Sequence, residues 1–309
     1  MKAALCTRYG PPEVLQVRET DDPVAGRNDL VIRIRATAVT ISDTYIRSMI
    51  PTARPVARMV ARLVMGFTKP RRPILGAVLA GEVESIGSDV ARFRVGDRVW
   101  AFTVMRMSCY AQRIRLPQSA KLLTPAPSNL THAEAAAIPY GGLLALHFLK
   151  TANIRRGEQV LVYGASGAIG TSAVQLAKHF GGTVTAVCGT ANVGLVRSLG
   201  ADTVLDYTKD PIPAGTHYDV VFDAVGRRKT SPLKEASRSA LTPGGRYVSV
   251  DDHLPRLART HLDYLRLLAE TGSLRPVIDR QYPLEQIAEA HRYVEQGHKK
   301  GNVVISIGD

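Results

Sequence analysis

The stretch EQVLVYGASGAIGTSAVQLAKHFGG, residues 158–182, decides the fold class. Val160, Leu161 and Val162 form the short apolar run of a parallel strand buried on both faces. The turn Gly164-Ala165-Ser166-Gly167-Ala168-Ile169-Gly170 follows at once. Beyond it Ile169, Ala173, Leu176, Ala177 and Phe180 recur at helical spacing, and Gly181-Gly182 stops the helix. Such a turn lets backbone N–H groups at a helix start face a diphosphate with no side chain in the way. Glycine turns also occur for packing reasons alone. Here a strand precedes, a helix follows, and Thr183–Cys188 reads as a second strand, which completes a βαβ unit and favours a dinucleotide site. The spacing departs from the usual pattern, because Ala165 stands where the first of three glycines would fall.

The end of the second strand bears on which dinucleotide is expected. A site for NAD usually places a carboxylate there to hold the ribose 2′-hydroxyl. In this chain the position reads Cys188-Gly189-Thr190-Ala191-Asn192, with no carboxylate to repel a 2′-phosphate. Thr190 and Asn192 can donate to one, and Arg197 follows on the next helix. NADP(H) is therefore the expected cofactor.

Outward from this unit the chain changes character. Before residue 120 it reads as β: Ile32, Ile34 and Ala36 alternate with Arg33 and Arg35, and 78–86, 98–103 and 110–116 are further strands. Residues 50–73 interrupt that pattern. Val56, Met59, Val60, Leu63, Val64 and Phe67 make an apolar helical face opposite Arg54, Arg58 and Arg62, with Lys69, Arg71 and Arg72 following. A lid over a substrate cleft, a basic membrane-surface helix and a helix packed on the barrel all fit. The expectation is packing beside the site with the arginines in solvent. From about residue 124 strands at 159–163, 183–188, 203–206, 219–223 and 246–250 alternate with helices, as in a doubly wound parallel sheet. A helix around Leu265, another near 284–296 and a strand at 303–307 close the chain.

Composition bounds the rest. The 309 residues suffice for two domains, and the formal net charge is +13. That charge suits an anionic cofactor, nucleic acid or an acidic membrane, though an arginine-rich solvated surface is the first expectation. Cys6, Cys109 and Cys188 lie far apart in no metal-ligand pattern, so neither a disulfide framework nor structural zinc is expected. The strongest N-terminal apolar run, Ala3–Cys6, is far too short for a signal peptide or a membrane span, and the cytoplasm is the default compartment.

Several blocks together resemble the zinc-independent quinone oxidoreductase branch of the medium-chain dehydrogenase/reductase superfamily. They are LGAVLAGEVESIGSDVARFRVGDRVWAF (75–102), AAAIPYGGLLAL (135–146), LGADTVLDY (199–207), YDVVFDAVG (218–226) and VIDRQYPLEQIAEAHRYVEQGHKKGNVVISI (277–307). The resemblance implies a GroES-like β-barrel catalytic domain, residues 1–124 completed by 264–309, around an NADP(H)-binding Rossmann domain at 125–263, with the active site between them. It also implies that Tyr207 contacts the adenosine or its phosphate, that Gly226 and Val250 sit at strand ends near the nicotinamide half, and that Asn302 reaches the cofactor from the barrel. In zinc-free relatives the segment resembling Ile41-Ser42-Asp43-Thr44-Tyr45-Ile46-Arg47 lies beside the nicotinamide. Tyr45 becomes the candidate donor to the substrate oxygen, Asp43 an orienting residue, Arg47 its balancing charge, and Tyr140 a weaker candidate. A tyrosine in packing and an aspartate at a helix start are the ordinary alternatives.

Two departures from the family pattern shape the expected chemistry. Zinc-dependent members carry His-Glu after a glycine where this chain has Gly76-Ala77-Val78, and their cysteine-rich loop is missing, so no zinc is expected. Without a Lewis acid, hydride transfer to a quinone or an α,β-unsaturated carbonyl is more reasonable than simple alcohol–ketone exchange. Asp251 also leads almost directly into the helix of Leu265, leaving no room for the sixth strand that often pairs two subunits. Homodimerisation through that edge is therefore in doubt. The other function class is a cofactor-binding protein of this fold with a non-catalytic, for example RNA-binding, role. The aromatic and basic interleaving of single-strand binders is not seen, so nucleic acid is the weaker expectation.

Overall fold

The computed structural model describes residues 1–49, 55–228 and 230–308. Seven strands come first: β1 (Lys2–Cys6), β2 (Leu15–Glu19), β3 (Asp29–Val39), β4 (Val78–Ile86), β5 (Arg98–Phe102), β6 (Arg113–Pro117) and β7 (Leu123–Pro125). Next come β8 (Gln159–Tyr163), β9 (Thr183–Cys188), β10 (Thr203–Asp206), β11 (Tyr218–Asp223) and β12 (Leu241–Ser249), and finally β13 (Ile278–Pro283) and β14 (Asn302–Ser306). The helices are α1 (Ile41–Arg47), α2 (Pro55–Met65), α3 (His132–Ala136), α4 (Pro139–Ala152), α5 (Ala168–His179), α6 (Val193–Ser198), α7 (Pro232–Ser239), α8 (Arg259–Glu270) and α9 (Ile287–Glu295).

The chain divides into two units, Met1–Pro139 with Ile278–Asp309, and Tyr140–Val277. These boundaries fall near 139 and 278 rather than at 124 and 263. At the first, α3 packs on β3, β4 and β14, which keeps it with the β-rich unit. At the second, α8 stays with the α/β unit, where the Tyr264 hydroxyl is 2.8 Å from His179 Nε2 on α5.

In the first unit the sheet order is β13-β14-β3-β4-β5-β7, with β6 also paired to β3. The alternation along β3 does what its sequence predicts. Ile32 and Ile34 are buried, while Arg33 and Arg35 face outward and pair with Glu84 and Glu82 of the neighbouring strand. β14 pairs antiparallel with β3, so the last strand of the chain is built in between β3 and the edge strand β13.

The second unit is a parallel sheet ordered β10-β9-β8-β11-β12. β8 lies at its centre, and Val160, Leu161 and Val162 have no solvent exposure. An apolar run without alternation suits a strand covered by helices on both faces. The sheet ends at β12, and no sixth strand follows it among the described residues.

The helix at 50–73 departs from expectation. Arg54 lies outside the described residues, as do the side chains of Val56 and Arg58. On the rest of α2 and the loop after it, Met59, Val60, Leu63, Val64 and Phe67 are all exposed. The apolar face is therefore not packed on the barrel.

Candidate active site

The cofactor turn is shaped by close backbone approaches. Gly164 has φ +77°, and a Cβ there would run into the Val225 side chain. The N–H groups of Gly164 and Ala165 both donate to the Val187 carbonyl, at 3.1 and 2.9 Å, tying the turn to β9. Gly167 is the N-cap of α5. A Cβ on Gly170 would lie 2.7 Å from Ala165 Cα, so α5 starts directly against the turn only because that residue lacks a side chain. The first-turn N–H groups of Ala168, Ile169 and Gly170 have no acceptor within the helix, which leaves a cluster of donors at a positive helix end. Ser166 is half-buried beside them, and its Oγ accepts from Asn192 Nδ2 at 3.2 Å.

Asn192 Oδ1 is buried without a protein partner. An unsatisfied buried amide oxygen costs about 1–3 kcal/mol, so its retention here fits a ligand hydroxyl or phosphate-bound water. Tyr207 is 45 % exposed and covers Gly189, with its hydroxyl 3.4 Å from where a Cβ would stand. Gly189, Thr190, Asn192 and Tyr207 are thus gathered at one corner with the glycine turn.

One group at this corner was not visible from the second strand alone. Asp206, the last residue of β10, accepts a hydrogen bond from the Thr190 hydroxyl. Its other oxygen takes Thr208 N at 3.0 Å and Thr208 Oγ1 at 2.7 Å. The Thr190 bond, followed by those from Thr208, holds this carboxyl below its usual range. A carboxylate therefore stands near the corner after all, supplied by the neighbouring parallel strand, where Asp206 pairs with Cys188.

At the same carboxyl edge of the sheet, where Asp223 of β11 pairs with Tyr163 just before the glycine turn, a second polar cluster forms around Asp223, which is 1 % exposed. One carboxylate oxygen accepts from Val225 N and Gly226 N, both at 3.0 Å. The other lies 2.8 Å from Lys234 Nζ, 3.1 Å from the Tyr247 hydroxyl and 3.3 Å from Ser249 Oγ. Lys234 Nζ also donates to the Gly226 carbonyl. Burial, then the Asp223 charge, pushes the Tyr247 phenol up to about 12. Val250 N donates to the Asp223 carbonyl at 3.1 Å. Gly226 and Val250 are thus held rigidly at adjacent strand ends. The sequence reading marked both positions but missed Asp223 and Lys234, which fix them. The signal was present in YDVVFDAVG, where an aspartate ends an otherwise apolar strand.

In the first unit Thr40 is the N-cap of α1, and Asp43 completes a capping box with it. Asp43 accepts from Thr40 N at 2.8 Å and from Thr40 Oγ1 at 2.7 Å. The Tyr110 hydroxyl and Gly76 N also hydrogen-bond to it. Asp43 is fully buried, and desolvation raises its pKa to about 6. The Tyr110 hydroxyl lies 3.3 Å from His291 Nε2, and burial pushes that imidazole down to about 3. His291 Nδ1 is buried with no partner. A continuous interior chain, Thr40–Asp43–Tyr110–His291, therefore lies beneath α1. Arg47 does not balance Asp43 as expected. It is buried, pairs with Glu295 of α9 and donates to the Gly10 carbonyl at 2.8 Å. Tyr110, His291 and Glu295 are far from α1 in sequence, so nothing local pointed to them. Tyr45 is half-buried on α1, Tyr140 is buried in the first turn of α4, and Asn302 is buried at the start of β14.

Among the described residues no group of three or more His, Cys, Asp or Glu side chains is placed to hold a metal ion, and no helix is long and apolar enough to cross a membrane. Cys109 is buried, and desolvation raises its thiol to about 12.

Comparison with known proteins gives a consistent picture. The profile of the alcohol dehydrogenase GroES-like domain matches residues 26–147, and two zinc-binding dehydrogenase profiles match 168–254 and 252–305. A chloroplastic quinone-oxidoreductase of Triphysaria versicolor is 30 % identical, over 93 % of this chain and 92 % of that protein. A chloroplastic NADPH-dependent alkenal/one oxidoreductase of Arabidopsis thaliana is 29 % identical, over 99 % of this chain and 79 % of that one. The solved quinone oxidoreductase of Coxiella burnetii superposes with a TM-score of 0.84 at 26 % identity, covering 100 % of this chain and 99 % of the other.

Proposed function

Because the chain belongs to the medium-chain dehydrogenase/reductase superfamily, in its quinone oxidoreductase branch, we propose that its NAD(P)H oxidoreductase chemistry is NADPH-dependent reduction of a quinone or of the activated C=C bond of an α,β-unsaturated carbonyl. The observation that carries the reading is the corner where the glycine turn, Thr190 and the unsatisfied Asn192 amide meet. Its helix-start N–H groups suit a diphosphate, and since the Thr190 hydroxyl is given to Asp206, the side-chain donor for a ribose 2′-phosphate is the Asn192 Nδ2 hydrogen beyond the one given to Ser166. Asp206 stays ionised beside this corner, and its repulsion of a 2′-phosphate has to be outweighed by the donors there.

NADPH, when bound, supplies a hydride. The residues of this chain do the rest. Asp223 and Lys234 hold the Gly226 turn and the start of the following loop in place, so that a ring lying there meets rigid backbone. The Tyr45 hydroxyl donates a hydrogen bond to the substrate carbonyl oxygen as it gains enolate or hydroquinone-anion charge. Buried Asp43 orients α1 through its capping box and does not itself exchange protons with substrate. Ala77 and Val78 offer no ligand atoms where zinc-using members have His and Glu, so the substrate must be one whose negative charge is delocalised.

The test is NADPH consumption with a 1,4-quinone and a 2-alkenal offered separately, with NADH in parallel and products identified by mass. Conversion of the alkenal to the saturated aldehyde assigns an ene-reductase. Conversion of the quinone alone assigns a quinone reductase. Tight NADPH binding without turnover of either substrate would sink the catalytic reading.

A further inference from the structure

Helix α2 and the loop after it combine an exposed apolar stripe with a run of cations. Met59, Val60, Leu63, Val64 and Phe67 fall at one-face helical spacing and are each between 52 and 62 % exposed. Met105, in the adjoining 104–106 turn, is also exposed, and Arg72 Nη1 ties the two segments together by donating to the Arg106 carbonyl at 2.9 Å. Folding normally covers such a stripe; here it is left in water.

The presentation is fixed. Gly66 ends the helix with φ +119°. Arg71 N donates to the Met65 carbonyl at 2.7 Å, Arg71 Nη2 to that of Leu63 at 2.8 Å, and the Tyr9 hydroxyl to that of Gly66 at 3.0 Å. The C-terminal end of the helix is therefore anchored to the first unit while its apolar stripe faces outward.

Charge says what covers it. From Thr44 to Gly81 the sequence contains no Asp or Glu, whereas Arg54, Arg58, Arg62, Lys69, Arg71 and Arg72 all fall in that interval. Arg62, Lys69, Arg71 and Arg72 are exposed around the stripe. A second copy of this face would set cation against cation with no carboxylate to relieve it. A nucleic acid would be matched to aromatic platforms, and Phe67 is the single aromatic residue between positions 55 and 73. Apolar side chains flanked by cations alone complement a surface that is apolar below and anionic above.

We propose that α2 and its following loop dock this protein on an anionic lipid bilayer, with the helix lying in the interface, its apolar stripe towards the acyl chains and its cations among the headgroups. The helix lies on the membrane and does not cross it. Its 11 residues span about 16 Å at 1.5 Å per residue, roughly half of a ~30 Å hydrocarbon core. Two moderate contributions, apolar insertion and headgroup attraction, give reversible and salt-sensitive attachment.

The test is flotation of the full chain with vesicles of phosphatidylcholine alone and of phosphatidylcholine containing phosphatidylglycerol. The expected result is partitioning onto the anionic vesicles at least ~tenfold above the neutral ones, falling as salt rises. Arg62→Glu should weaken it by about fivefold or more. Leu63→Ser/Phe67→Ser, which leaves the charge unchanged, should weaken it as well. Unchanged Trp100 fluorescence would show that these variants are folded. No flotation with anionic vesicles would overturn the proposal. So would flotation that ignores the Leu63→Ser/Phe67→Ser change, because general basicity would then explain it. A solution dimer dissociated by that variant would assign the face to a second copy instead.

Discussion

The Lys234 ammonium lies 2.8 Å from the Asp223 carboxylate, and neither side chain is more than 6 % exposed. A buried pair of this kind gains little over an apolar substitute, but losing one member strands the other charge. Lys234→Met should therefore lower the unfolding free energy by about 3–5 kcal/mol, read by circular dichroism in urea. Asp223→Asn/Lys234→Met should recover part of that loss. NADPH should bind more weakly to both variants, because the Gly226 turn depends on the same carboxylate.

Tyr45→Phe removes one hydroxyl from a half-buried helical residue and leaves the fold alone. If that hydroxyl stabilises the developing oxyanion, kcat should fall by about 10²-fold while the NADPH dissociation constant holds. Full turnover with an unaltered pH profile would remove Tyr45 from the chemistry.

Cofactor preference should follow the Asn192 corner. NADPH should be preferred to NADH by about tenfold or more, equivalent to ~1.4 kcal/mol. Asn192→Asp places a carboxylate where the 2′-phosphate is expected and should reverse the order in steady-state KM values. An unchanged ratio would move the phosphate elsewhere.

Acid stability of the first unit should carry two opposed contributions. The Asp43 pKa is raised from 3.8 to about 6, so the folded unit holds its proton more tightly than the unfolded chain. The stability this contributes is fully present below 3.8 and is lost as pH rises through about 6. The His291 pKa is lowered from 6.5 to about 3, so its contribution is present above 6.5 and is lost as pH falls towards 3. In Asp43→Asn the first, opposing slope is gone, and destabilisation on acidification should be steeper than in the parent. Urea midpoints between pH 4 and 7 can be followed through Trp100, the single tryptophan, which is buried in this unit. A shallower acid limb would contradict the assignment.

Much of this was legible along the chain, and the reason is locality. The turn at 164–170 and the five parallel strands rest on residues within a few positions of one another. Their period and punctuation therefore showed through. What stayed hidden depends on distant pairings. Asp206 meets Thr190 only because β10 lies beside β9, and Tyr110 meets Asp43 and His291 only once the barrel is assembled. The domain boundaries were displaced for a related reason. α3 and α8 are amphipathic helices whose sequences say that they pack, but not on which unit. α2 shows the opposite case, since its apolar face was clear from spacing while the assumption that folding would cover it was not met.

The placement of β14 between β13 and β3 has a consequence for biosynthesis. The α/β unit comes from one continuous stretch, 140–277, and holds all five of its strands before the chain is complete. The first strands of the β-rich unit leave the ribosome before it, yet the strand that pairs with β3 is Asn302–Ser306. β3 must therefore wait, unpaired along the Ala36–Val39 end that β14 later takes. During translation the inner unit can fold first, and the outer one closes around sequence made some 250 residues apart. A nascent chain stalled before residue 300 would be half native, with an open sheet edge for a chaperone to guard.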